Sequence, residues 1–181
     1  MPGGGKSTVG RHLARALGIG FIDVDAEIEK SLGRSIRDYF ADEGETRFRD
    51  VEQQILAAQL ARTGARTLAT GGGVVLREDN RIALRAHSTV LYLRSTPEEL
   101  FRRLRHDRRR PLLQVADPLR RLRELFHQRD PLYRRTAHFV IETGRPSVSM
   151  LVSMILMQLE LAGLVDPSRV PSPVDAPPHS A

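Results

Sequence analysis

The chain has 181 residues, a formal net charge of +6 and no cysteine. That length suits one domain with a full hydrophobic core, and the absence of thiols excludes disulfides and thiolate metal centres. Nothing reads as a signal peptide, which sets a cytoplasmic location as the expectation. The apolar run from Val148 to Leu161 is too short to span a bilayer comfortably and carries Gln158 and Glu160, so it is expected to be a buried helix rather than a membrane anchor. The positive charge admits nucleic acid as a partner. Three Tyr, six Phe and no Trp argue against a stacking platform for single strands, however. Arginine in excess suits small anionic substrates equally well.

The chain opens on Gly3-Gly4-Gly5-Lys6-Ser7-Thr8, the second half of a phosphate-binding loop. A glycine-rich turn leading into a helix aims successive N–H groups at one point, where the helix dipole adds positive potential. Lys6 can reach the terminal phosphates of a nucleotide and the Ser7 hydroxyl can ligate Mg²⁺. Val9, Leu13, Ala14, Ala16 and Leu17 then recur at helical spacing, and Gly18 reads as a C-cap. The full loop pattern needs an earlier Gly and an apolar strand, both of which would precede Met1. Met1 is therefore expected to be an internal residue, with roughly 8–12 further residues forming a central strand and turn upstream.

Downstream, strands are predicted at 20–23, 67–70, 89–93 and 138–142. Helices are predicted near 6–17, 25–32, 35–42, 45–62, 77–86, 96–109, 117–129 and 147–162. Short apolar strands separated by helices indicate a parallel sheet covered on both faces. Thr96, Pro97 and Glu99 form a capping box with Pro at the first helical position. The segment from Asp166 to Ala181 is rich in Pro and Ser without an apolar period and is expected to be a disordered tail.

Several groups carry chemistry. Asp23 and Asp25 fall where a strand ends, and strand alternation would turn both carboxylates to one side. There they can hold Mg²⁺ through water and orient a hydroxyl, or Asp25 can simply cap the next helix. Arg49 and Glu52, three apart on a helix, form either an exposed ion pair or a buttressed guanidinium able to grip a carboxylate. Gly71-Gly72-Gly73 allows backbone to approach a ligand, or makes an ordinary turn. Six arginines between Arg102 and Arg110 form a solvated helix face, or a lid from which a few close over phosphates. Arg129, in Arg129-Asp130-Pro131-Leu132-Tyr133, reads as a cation at a helix C-terminus.

Taken in order, these pieces resemble shikimate kinases, of the nucleoside-monophosphate-kinase-like group of P-loop proteins. The likeness runs from Gly3 to Pro146 and rests on Gly-Lys-Ser-Thr-x-Gly at 5–10, Asp23-x-Asp25, Phe48-Arg49-x-x-Glu52, Gly71–Gly73, Arg110-Pro111-Leu112 and Arg129-x-x-x-Tyr133. It implies a three-layer α/β P-loop kinase fold over 1–165, its parallel sheet flanked by helices, with a lid near 105–118 and without its N-terminal central strand. It further implies ATP-dependent phosphorylation of shikimate, with Mg²⁺. By the same resemblance Gly3, Gly4, Gly5, Lys6, Ser7 and Thr8 hold the nucleotide phosphates, Lys6 contacts the transferring one, and Ser7 with Asp23 places the metal. Asp25 binds the reacting hydroxyl, Arg49 and Arg129 hold the carboxylate, and Gly71, Gly72 and Gly73 line the ring. Arg110 acts from the lid, while Arg103 and Arg145 flank adenine. Shikimate and ATP are the expected partners of a monomer, with no nucleic acid or membrane. A gluconate-type kinase and a non-catalytic nucleotide-binding module are the competing readings.

Overall fold

The computed structural model describes residues 1, 3–105, 115, 117–144 and 146–166. Arg110, Arg145, most of the expected lid and the tail beyond Asp166 lie outside these. The elements run α1 (Lys6–Leu17), β1 (Gly20–Asp23), α2 (Val24–Leu32), α3 (Ile36–Leu60), β2 (Arg66–Ala69), a 3₁₀ turn (Val74–Leu76), α4 (Glu78–His87), β3 (Leu91–Arg94), α5 (Pro97–Leu104), α6 (Pro118–Thr136), β4 (Phe139–Glu142) and α7 (Val148–Leu161).

Local chemistry accounts for most boundaries. Gly18 ends α1 in the left-handed conformation with φ 64°, which costs a glycine nothing. Thr96 and Glu99 form the expected reciprocal capping box at the start of α5. The expected split near residue 43 appears as a break inside α3, where Gly44 has φ 80° and ψ 175°. One boundary differs markedly. The helix expected to end at 129 continues through Pro131 to Thr136, so Arg129 lies inside α6 and is not its C-terminal cation. Leu122, Leu125 and Tyr133 on its buried face join one core cluster, and the Arg85 guanidinium caps the helix end by donating to the carbonyls of Arg135 and Ala137 at 3.0 and 3.1 Å. These contacts outweigh the hydrogen bond lost at an internal proline.

Among the described residues the four strands form two separate parallel pairs, β1 with β2 and β3 with β4. A cavity of about 710 Å³ lies between β2 and β3, with Thr67 and Leu68 on one wall and Leu91 and Leu93 on the other. Met1 borders it and is only 3% exposed. Helix α1 packs on β1, β2 and α7, and α6 on α5 and the 3₁₀ turn. One core cluster, containing Leu56, Val74, Tyr92 and Leu122, brings residues of α3 and the 3₁₀ turn together with β3 and α6. Functional side chains thus come from both strand pairs. No helix among the described residues is long and apolar enough to cross a membrane.

Candidate active site

The glycine loop turns through two left-handed residues, Gly3 at φ 73° and Gly5 at φ 77°, before α1 begins at Lys6. A side chain at either would be strained. The Lys6 ammonium donates to the Met1 carbonyl at 2.9 Å. The Ser7 hydroxyl donates to Asp23 Oδ2 at 2.6 Å, bringing together the two residues expected to share a metal. Thr8 is exposed on the first turn, and its carbonyl lies 2.9 Å from His12 Nδ1.

Asp23, not Asp25, caps α2: its carboxylate accepts from the Asp25 N–H at 3.2 Å. Strand alternation therefore does not relate the two acids, because Asp23 closes β1 and Asp25 sits in the first helical turn. They nevertheless face one another electrostatically. Burial pushes the Asp25 carboxyl above its ordinary value, the neighbouring Asp23 carboxylate adds to this, and Lys6 partly opposes it. No described residue donates a hydrogen bond to the Asp25 carboxylate.

The Gly71–Gly73 turn packs directly onto this acid and onto α3. A methyl group at Gly71 would come within 2.8 Å of Asp25 Oδ1 and 3.1 Å of Glu52 Oε1. One at Gly73 would overlap the Arg49 guanidinium. A side chain at either glycine would have to displace the Asp25 carboxylate or the Arg49 guanidinium. Arg49 donates to Glu52 at 2.6 Å with the two side chains 12% and 2% exposed, so this is a buried pair rather than a solvated one. Glu45, itself more than half exposed, adds a second carboxylate at 3.1 Å.

Burial raises the pKa of the Tyr133 phenol, while the charges of Arg129, one helical turn away on α6, and of Arg49 pull against it. The two arginines expected to share a substrate carboxylate thus act on one hydroxyl. Arg103 points elsewhere: it donates to the Ser95 hydroxyl at 3.3 Å and to the Thr143 carbonyl, just ahead of Gly144, whose Cα faces the Glu99 carboxylate closely. Tyr133 and Asp130 carry no expected role, yet both are buried here. Asp130 accepts from Tyr92 Oη at 2.9 Å, Arg94 Nε at 3.1 Å and Arg134 Nε at 2.7 Å. A buried Asp-x-x-Tyr on one helix face was the available signal, but the partners on β3 are remote in sequence.

A glycine loop with left-handed turns opening into a helix, a serine–aspartate pair at its start and a half-buried acid and cations beside it define a P-loop phosphotransferase. The shikimate kinase family profile matches residues 2–160, and the chain belongs to that family. It is 58% identical over 170 residues to the shikimate kinase of Paracidovorax citrulli, covering 93% of each chain. With that of Ralstonia nicotianae it shares 54% over 173 residues, covering 96% of this chain and 90% of the other. Its structure resembles that of shikimate kinase from Acinetobacter baumannii in complex with shikimate, with a TM-score of 0.81, 43% identity and coverage of 91% and 90%. For the Aquifex aeolicus enzyme the TM-score is 0.77 at 31% identity, with coverage of 91% and 95%.

Proposed function

We propose that this chain transfers the γ-phosphoryl group of ATP to a hydroxyl of shikimate, in the route to aromatic amino acids, and that the residues gathered above do the work. One observation carries the assignment of roles: the buried Arg49–Glu52 pair and the half-buried Asp25 are pressed against the two outer glycines of one turn, beside the Lys6–Ser7 helix start. Phosphoryl transfer is mainly positioning and charge stabilisation, and this arrangement supplies both.

In this reading Gly3–Thr8 cradle the phosphates and Lys6 balances charge that develops on the transferring group. Asp25 orients the accepting hydroxyl and takes its proton, a role its raised pKa favours. Arg49, held rigid by Glu52, and Arg129 grip the substrate carboxylate, while the Gly71–Gly73 backbone lies along the ring. Ser7 and Asp23 offer hard oxygen donors 2.6 Å apart, a donor set suited to Mg²⁺. When bound there, the ion would neutralise phosphate charge. Arg103 is read as flanking the nucleotide base, with Arg110 and Arg145 in the lid and base roles implied by family likeness. A cytoplasmic monomer acting on small molecules, without nucleic acid or membrane, completes the proposal.

ADP release, coupled to a spectroscopic readout, tests it. Release should depend on shikimate, and Arg49→Ala should weaken shikimate binding while nucleotide binding persists. Unchanged shikimate affinity in that variant would show the carboxylate site to be elsewhere.

A further inference from the structure

Asn80 lies in the first turn of α4 with 2% of its surface exposed, and the chemistry above does not use it. Asparagine is a mediocre helix former and is seldom fully buried, so neither the helix nor the core accounts for it. Its side chain leans back toward the helix start, where the amide donates to the Val74 carbonyl at 3.0 Å. A carbonyl can only accept, so the amide nitrogen is the atom that faces it. This bond completes a pattern. From Gly71 to Leu76 every main-chain carbonyl accepts a hydrogen bond. Within the segment, the Val74 N–H donates to Gly71 at 3.3 Å and the Leu76 N–H to Gly73 at 2.9 Å. From outside it, Tyr133 Oη donates to Gly72 at 2.5 Å, Asn80 to Val74, and Arg81 to Val75 and Leu76 at 2.8 and 3.2 Å. A connecting segment held in this way by protein donors has little freedom to rearrange.

We infer that Asn80 is a positioning residue for the acceptor substrate: through the Val74 carbonyl it fixes the Gly71–Gly73 turn against Asp25 and Arg49. The contact it acts through has no slack. A Cβ at Gly71 would lie 2.8 Å from Asp25 Oδ1, and one at Gly73 would overlap the Arg49 guanidinium, so a small shift of the turn moves the acid and the cation together. Asn80 is also the donor with no ready substitute. The Arg81 side chain is 22% exposed, and water can take over its carbonyls. Val74 is buried, and without Asn80 its carbonyl loses its partner. Holding the turn in advance lowers the ordering cost that substrate binding would otherwise carry. This inference rests on the reading of Asp25, Arg49 and the glycine turn as the shikimate site.

Calorimetric titration of shikimate and of ADP into the full chain, with Asn80→Ala, Leu84→Ala and Arg49→Ala, separates the possibilities. Leu84 is buried one turn further along α4 and donates nothing to the turn, so its truncation reports what loosening the helix alone does. Asn80→Ala should weaken shikimate binding about tenfold, as expected when reacting groups lose their fixed placement, and leave ADP affinity within about twofold. Leu84→Ala should leave both affinities within about twofold. If Asn80→Ala does not fold, Asn80→Ser, whose hydroxyl is too short to reach the Val74 carbonyl, should show the same selective loss. Unchanged shikimate affinity, equal weakening of both ligands, or an equal loss of shikimate affinity in Leu84→Ala would each overturn the proposal. If Arg49→Ala itself leaves shikimate affinity unchanged, the reading of the site falls and this inference with it. If Arg49→Ala weakens binding but the Asn80 variants do not, only the positioning role falls.

Discussion

Two aspartates, Asp130 buried and Asp25 half-buried, show how differently one side chain can be used in the same molecule. Asp130 takes hydrogen bonds from Tyr92, Arg94 and Arg134. Burial alone would raise its pKa, but these three donors outweigh burial and hold the carboxyl below its ordinary value. Asp25 has burial without the donors: its carboxyl is pushed up, and another carboxylate, Asp23, pushes it further. The first acid is saturated and serves the fold. The second is left with unmet charge beside a phosphate loop, where a proton acceptor is useful.

The sharpest break in that comparison is catalytic. Asp25→Asn and Lys6→Ala should each lower kcat by about 10²-fold or more, given what proton handling and charge stabilisation contribute, while Asp130→Asn should alter kcat far less. Steady-state ADP release at saturating substrates decides this. Next in size is stability. Asp130→Ala removes one acceptor from three donors and should destabilise the fold by about 1.5–3 kcal/mol, nearer the lower figure because Arg94 and Arg134 reach solvent. Chemical denaturation at neutral pH measures it.

The pH dependences should have opposite signs. Asp130 is depressed, so its contribution is present above the ordinary carboxylate range and lost as pH falls through its folded pKa. Asp25 is raised, so the folded state favours its protonated form. That contribution is full below the unfolded pKa and disappears as pH rises through the folded one. At neutral pH ionised Asp25 therefore strains the fold, and Asp25→Asn should raise Tm, by about 2–4 °C for each roughly 1 kcal/mol relieved. The gain should shrink in acid. A variant that is both inactive and more stable would confirm the contrast; a lower Tm would mean Asp25 is structural after all. The smallest expected effect is at Glu45, the exposed partner of Arg49: Glu45→Gln should change shikimate KM by less than about twofold, as solvated pairs contribute little.

Much of the fold was legible because it depends on near neighbours. The glycine turns, the capping box at Thr96 and Glu99, the break at Gly44 and the Arg49–Glu52 spacing are all short-range features. The family likeness groups Asp25, Arg49, Arg129 and Gly71–Gly73 into one site on motif order alone. What remained hidden depends on distance in sequence. Pro131 suggested a helix end, yet Arg85, some fifty residues earlier, caps the continuing helix. Asp25 looked like the cap of α2, but the strand register placed Asp23 there. The Asp130 cluster draws Tyr92 and Arg94 from β3, and no local pattern announces such a meeting.

The Tyr133–Gly72 hydrogen bond has a mechanical consequence. Asp23, Asp25 and Arg49 are carried by β1, α2 and α3, whereas Tyr133 rides on α6. The bond joins residues 61 apart in sequence and ends on the glycine turn that packs against Asp25 and Arg49. It works as a tie rod: a substitution that shifts α6 along its axis should be felt at that turn, many residues away, before it is felt in the nearer surface loops.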